Sequence, residues 1–304
     1  MPTNRLNATT ALLLTIPPLM WAGNAVVGRL VHDLVPPMTL NFLRWALAFV
    51  LLLPWAAWVL RRDSGLWPYW RRFALLGLLG VGCYNALQYL ALQTSTPLNV
   101  TLVAASSPVF MLFVGRLFFG VAVPSRAILG ALLSITGVLV VLARGDVAAL
   151  LRIRLVTGDL WILLATLLWA WYSWLLARPT EPAHIRADWA AFLLAQMLFG
   201  LGWAALSVGG EWALAPGAGA ASIQWGWPLA LALAYVAVGP SLVAYRCWGA
   251  GIQRAGPAAA AFFSNLTPLF AALISTLALG DAPRAYHALA FALIVGGILI
   301  SSRR

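Results

Sequence analysis

The chain has 304 residues, 62% of them hydrophobic and only 9% charged, with a mean hydropathy of +0.90. A soluble domain carries charge on about 25% of its residues and cannot hide that much apolar surface, and the same apolar content excludes a disordered chain. The formal charge of +11 comes from basic residues that are all arginine and sit at the ends of apolar runs; they read as topological anchors and exclude the basic stripe of a nucleic-acid binder.

The two cysteines, Cys83 and Cys247, lie inside apolar runs, which excludes a secreted disulfide framework. What remains is an all-α integral membrane protein. At about 20 residues per span, the length allows ten spans and no large soluble domain.

The first run, Thr10–Val31, follows a short polar start with Arg5 and is longer than a signal-peptide core. Further helices are predicted at Met38–Leu60, Phe73–Thr94, Leu98–Phe118, Ser125–Ala143, Gly158–Ala177, Trp189–Val208, Trp227–Trp248, Pro257–Leu279 and Arg284–Ser301. The longest connections are Arg144–Thr157 and Gly209–Trp225, the second rich in Gly and Ala and expected to be a flexible tether. With the N-terminus in the cytoplasm, inside segments hold twelve arginines and outside loops hold four (Arg144, Arg152, Arg154, Arg284). Both termini are therefore expected to be cytoplasmic.

The chain repeats itself at an offset of 160 residues. Gln93 and Pro97 recur as Gln253 and Pro257, Pro108-Val-Phe as Pro268-Leu-Phe, Gly120 as Gly280, and Gly137-Val-Leu as Gly297-Ile-Leu. Residues 10–143 and 158–301 then form two five-helix repeats. Five is odd, so the second repeat enters the membrane inverted, an architecture that places a substrate cavity between the halves. Pro108 and Pro268 fall about 11 residues into their predicted helices and are expected to act as paired gating bends.

In this order the landmarks resemble the EamA-type members of the drug/metabolite transporter superfamily. They are Trp21 in Leu-Met-Trp-Ala-Gly-Asn, Arg44 in Phe-Leu-Arg-Trp-Ala, Gly77-Leu-Leu-Gly80 with Ala91-Leu92, Pro108-Val-Phe and Gly137-Val-Leu. The resemblance covers nearly the whole chain, and the abundance of aromatic residues is most like the YddG-type bacterial inner-membrane exporters of aromatic amino acids. It implies ten helices as a 5+5 inverted repeat, with a central cavity built from helices 1, 3, 4, 6, 8 and 9. The family often has an acid closing helices 4 and 9; here Val121 follows Gly120, while Asp281 follows Gly280.

Polar and aromatic residues at helical spacing are the candidates for the cavity. They are Trp21 and Asn24 on helix 1, the stripe Tyr84, Asn85, Gln88 and Tyr89 on helix 3, Thr101 on helix 4, Trp169 and Tyr172 (beside Ser173) on helix 6, and Ser264 on helix 9, with Asn265 and Thr267 close by. On helix 8, Tyr235, Gly239, Leu242 and Arg246 line up. Trp67, Trp70, Trp212, Trp225 and Trp227 lie at helix ends and read as interfacial anchors.

Arg44 has two readings, guiding a substrate carboxylate or structurally capping carbonyls or pairing with Asp33; the structural one is favoured. Arg246 can snorkel. Small residues on helix 5 (Gly130, Ser134, Gly137) and helix 10 (Ala288, Ala292, Gly296) suit a close contact, either within the molecule or in a homodimer.

None of the eight acids lies mid-span, and His32, His184 and His287 are at helix ends or in a loop. No membrane-buried proton relay is therefore expected. There is no Gly-x-Ser-x-Gly, phosphate loop or metal-spaced cluster, and His184-x-x-x-Asp188 is a chance pattern, so no enzyme, metal or cofactor is expected. The expected function is export of amino acids or related small amphipathic metabolites across the inner membrane by facilitative alternating access. The alternatives are a proton-coupled multidrug or organic-cation exporter of the same superfamily and, in another class, a membrane-embedded enzyme.

Overall fold

The computed structural model describes residues 6–95, 97–143, 146, 148, 151, 156–214, 219–279 and 284–302. Among them the regular structure is helical, with no strand. A bilayer core holds no water for peptide groups, so a spanning segment must bond to itself, as a helix does. In chain order the helices are α1 (Ala8–Leu30), α2 (Pro37–Ala56), α3 (Trp70–Gly77), α4 (Tyr84–Thr94), α5 (Pro97–Ala104), α6 (Ser107–Phe119), α7 (Ser125–Leu142) and α8 (Thr157–Ala177). They continue with a short α9 (Ala183–Ala187), α10 (Trp189–Leu214), α11 (Trp227–Val236), α12 (Ala244–Ala255), α13 (Pro257–Ser264), α14 (Leu266–Leu279) and α15 (Ala285–Ser302). Eight stretches of the described residues are long and apolar enough to cross a membrane; Ser107–Phe119 and Ala285–Ser301 are shorter apolar helices.

Four segments are not simple α-helices. π-helical turns, Leu78–Cys83 and Ala237–Val243, join α3 to α4 and α11 to α12. The fourth and ninth predicted helices are interrupted, at Ala105–Ser106 and at Asn265. Pro108 is therefore not a bend within a continuous helix. It stands in the first turn of α6, where its missing N–H costs nothing and its fixed φ favours a helix start; Pro268 likewise falls in the first turn of α14.

Other predicted boundaries were too short. The third segment begins at Trp67 with a 3₁₀ turn, the eighth runs on to Ala255, and the seventh continues through Gly209 and Gly210 to Leu214. The first part of the expected tether is thus helix. Glu211 has a fixed task there: its carboxylate accepts from the Met38 and Thr39 amides at 2.9 and 3.0 Å, capping α2, whose own N-cap, Pro36, supplies no side-chain bond. Trp212, read as an anchor, donates to Thr39 Oγ1 at 3.0 Å.

Polar contacts gather into two layers. In one, His184 bonds the Ser64 carbonyl at 2.8 Å, Asp188 accepts from Trp58 at 3.1 Å and caps α10, and Arg178 donates to the Phe119 carbonyl. His184 and Asp188 therefore each have a structural partner of their own. Glu181, its side chain fully buried, holds Arg72 at 3.2 Å and also pairs with Arg186. Burial pushes its carboxyl up, but the Thr180 and Glu181 amides, Arg186 and the charge of Arg72 outweigh that and hold it below the usual range.

The second layer contains the α2 cap, the Gln224 amide bonded to the Leu34 carbonyl at 2.8 Å, and Asp159, which accepts from Ser95 and from the Val156 amide. Between the layers the core includes the fully buried Trp45 and Trp248.

The small face of helix 5 does make a contact within the molecule. A Cβ on Gly130 would meet the Gly297 carbonyl at 2.7 Å, and one on Gly137 would meet the Ala290 carbonyl at 2.9 Å. The partner face of α15 is Ala290, Ile294, Gly297 and Ser301; Ala288 and Ala292, picked from the sequence, are exposed. The calls on Gly280, Asp281, Arg144, Arg152 and Arg154 lie outside the described residues.

Candidate functional site

A cavity of about 120 Å³, with room for several waters or part of a small solute, lies between α1, α4, the α5–α6 junction, α8, α12 and the α13–α14 junction. Its lining includes nine residues singled out from the sequence: Trp21, Asn24, Tyr84, Asn85, Gln88, Thr101, Trp169, Ser264 and Pro268.

Three others are elsewhere. Tyr89 is five residues on from Tyr84, about 140° around an α-helix; it packs half-buried against the cluster of Val31, Leu40 and Leu233. Tyr172 lies one turn past Trp169, behind the cavity wall. Its hydroxyl donates to Gln196 Oε1 at 3.0 Å, and its ring lies so close to α3–α4 that a Cβ on Gly80 would come within 2.8 Å. Pro108 is buried away from the lining.

Asn265 and Thr267, noted beside Ser264, also line the cavity, and the structure adds Tyr245, Thr166 and Ser107. Tyr245 escaped because the π-turn Ala237–Val243 shifts the phase of everything after it. The face predicted from strict α spacing, Tyr235 to Arg246, splits: Tyr235 donates to the Met20 carbonyl at 3.2 Å, while Arg246 is exposed, with its guanidinium 4.6 Å from the Trp189 ring centroid.

Toward the Glu181 layer the cavity ends on aromatic rings. Trp169 is the hub, with centroids 5.4 Å from Trp21, 5.1 Å from Tyr84, 5.5 Å from Trp248 and 5.7 Å from Tyr245. Such edge and tilted contacts suit ring quadrupoles, and hydrogen bonds lock several rings: Trp21 Nε1 to the Pro240 carbonyl at 3.3 Å, Trp248 Nε1 to Ser173 Oγ at 3.3 Å, and Tyr245 to the Gly80 carbonyl. Toward the other layer the wall is set with amides and hydroxyls.

Among the described residues no acidic, basic or histidine side chain lines the cavity. Among the described residues no three His, Cys, Asp or Glu side chains group as metal ligands.

One cation stands directly behind the wall. Arg44 is 1% exposed. Its Nε and Nη2 donate to Ser241 Oγ at 3.0 and 2.9 Å, and its Nη1 donates to Asn24 Oδ1 at 3.1 Å. The expected partner Asp33 is exposed and lies 3.2 Å from His32. Ser241 can serve because of the π-turn: Pro240 has no N–H to give the Val236 carbonyl, and the Ser241 hydroxyl donates to it at 2.8 Å. That fixes the hydroxyl proton and turns the lone pairs to Arg44.

The model of the EamA-like transporter family matches the chain twice, over residues 8–143 and 156–303. An uncharacterized transporter of Archaeoglobus fulgidus is 28% identical over 98% of this chain and 99% of its own. The aromatic amino acid exporter YddG of Ancylobacter novellus is 26% identical over 78% of this chain and 76% of its own. The uncharacterized inner membrane transporter YedA of Escherichia coli is 24% identical over 93% and 87%. A solved structure superimposes with a TM-score of 0.72 at 23% identity, covering 97% of this chain and 96% of that one, a likeness of fold alone.

Proposed function

This chain belongs to the EamA-like transporter family and is a multi-pass membrane transporter, and we propose that it exports amino acids or related small amphipathic metabolites across the inner membrane. The carrying observation is the cavity: an aromatic end, a polar wall, and no acidic, basic or histidine side chain among the described residues of the lining. Rings take the apolar part of an amphipathic solute while amides and hydroxyls hydrogen-bond its polar part. The relative named as an aromatic amino acid exporter agrees in kind.

Transport proceeds by alternating access between two inverted five-helix halves. The irregularities support this reading, because they share the register of the sequence repeat. Leu78–Cys83 plus 160 gives 238–243, within the second π-turn, and Ala105 plus 160 gives Asn265, the second break. Wider turns and interrupted helices free backbone groups and mark places where segments change shape. With the arginine-rich layer in the cytoplasm, the aromatic cluster closes the cavity inward and the amide wall lies in the outer half. Tags at Arg62 and Gln224 should report cytoplasm and exterior respectively.

Transport is facilitative, since the described lining holds no carboxylate or histidine to bind a proton and a solute in turn. Counterflow in proteoliposomes tests this directly. A gradient of a zwitterionic amino acid should drive exchange, and pH gradients of either sign should not drive accumulation. Uphill uptake on a proton gradient, abolished by an ionophore, favours the proton-coupled alternative; absence of counterflow with every amino acid tried rejects the substrate class.

A further inference from the structure

We infer that the cavity selects solutes bearing a carboxylate, and that the selecting element is the Arg44–Asn24 pair, with Asn24 touching the solute and Arg44 acting through it as a positioning residue. The inference rests on the cavity being the solute site.

Arg44 is a buried cation whose partners are all neutral: Ser241 Oγ and Asn24 Oδ1. The ion pairs among the described residues involve Glu181 and Asp33, and none reaches it. A buried charge held only by dipoles keeps its field, because neither water nor a counter-ion screens it. Asn24 carries that field to the cavity. A guanidinium has donors only, so the amide oxygen must be the atom turned to Arg44, and this fixes which way the side chain points. The other amide atom, Nδ2, is the one left for the cavity that Asn24 lines. It is an N–H donor polarised by a cation behind it, and its natural complement is an anionic acceptor. Among the described residues no lining side chain bears a negative charge to offset this field. The aromatic hub takes the rest of the solute: Trp21 lies three residues before Asn24 on α1, on the same helix face.

Three probes share one apolar body and differ in charge: phenylalanine (zwitterion), 3-phenylpropionate (acid) and phenethylamine (amine). Binding to the purified full chain in detergent is read from quenching of tryptophan fluorescence, to which Trp21 and Trp169 contribute. The two carboxylate probes should bind at least tenfold more tightly than the amine.

The diagnostic variant is Asn24→Asp. It gives Arg44 a counter-ion and so leaves the buried site at least as well paired, while putting negative charge on the wall; the order of affinities should invert, with the amine strongest. Arg44→Gln should bring acid and amine within threefold of each other. Equal binding of acid and amine by the wild type, no binding of any probe, or an Asn24→Asp protein that keeps the wild-type order overturns the inference. Counterflow with the same probes separates it from the transport reading. Carboxylate-selective binding without counterflow rejects transport of these solutes and keeps the selectivity; counterflow of acid and amine alike does the reverse.

Discussion

Ser241→Ala should be among the most damaging single-atom deletions in this protein. The Ser241 hydroxyl oxygen accepts from Arg44 Nε at 3.0 Å and Nη2 at 2.9 Å, and its proton goes to the Val236 carbonyl at 2.8 Å. Hydrogen bonds to charged groups contribute about 1.5–3 kcal/mol each. Alanine removes two of them and leaves a cation 1% exposed with Asn24 as its one remaining hydrogen-bond partner among the described residues, beside the Trp45 ring 5.4 Å away. Breaking a buried charged arrangement from one side costs about 3–5 kcal/mol, and that range is the expected loss. Titration of the detergent-solubilised protein with sodium dodecyl sulfate, followed by tryptophan fluorescence, measures it. Ser241→Thr keeps the oxygen and should lose far less. Ser207→Ala, at a half-buried helical position whose hydroxyl bonds the Trp203 carbonyl of its own helix, should stay within about 0.5 kcal/mol. In an Arg44→Met background the same Ser241→Ala change should cost much less, since the cation it strands is gone. A loss under about 1 kcal/mol for Ser241→Ala in the wild type refutes the reasoning, because it means that Arg44 does not depend on this oxygen.

Glu181→Gln should destabilise the protein at neutral pH by about 3 kcal/mol. The folded carboxyl titrates below its ordinary value of 4.5, so its contribution is full above that pH and fades as pH falls through the lower folded value; the gap between wild type and variant should be flat from about pH 6 to 8 and close on acidification. Gly130→Val should cost about 2–3 kcal/mol by overpacking against Gly297 and Ser301, whereas Gly202→Ala, with nothing within 4 Å, should stabilise by up to about 1 kcal/mol; chemical unfolding of each reads the difference. Pro108→Ala together with Pro268→Ala restores two backbone donors beside the helix breaks and should slow counterflow about tenfold, equivalent to ~1.4 kcal/mol on the rate-limiting step, with probe affinity retained. An unchanged rate would assign both prolines to packing.

The helical, membrane-embedded fold was legible because a bilayer tolerates few alternatives, and runs such as Thr157–Ala177 announce themselves by composition. The polar stripe at Tyr84, Asn85 and Gln88 was legible for the same reason: amides on one face of an apolar helix need company. Tyr245 was hidden by a π-turn that adds a residue to the helical period, which a fixed 3.6-residue rule cannot detect. Pro240 was the signal available there, since a proline within an apolar run removes a backbone bond and invites such a turn. Glu211 was missed because Gly209-Gly210 reads as a terminus, yet the helix needs those glycines only as passengers on its way to the α2 cap. Arg44 stood out, but its true partner, Ser241, is 197 residues away in sequence, and nothing local to Arg44 points to it.

The contact between α7 and α15 has a mechanical consequence. These are the last helices of the two matched portions of the chain, they run antiparallel, and neither lines the cavity. At Gly130 and Gly297 backbone lies on backbone, and the side chains beside them, Ser134, Ser301 and Ile294, are small or β-branched, so little in the joint can change rotamer, slide or swell. A joint of that kind resists shear yet allows a few degrees of roll, as a knife-edge fulcrum does. Motion that opens the far side of the molecule would then be levered about a line outside the solute path. A crosslink placed along that line should leave turnover intact, while the same crosslink between α4 and α8 should arrest it.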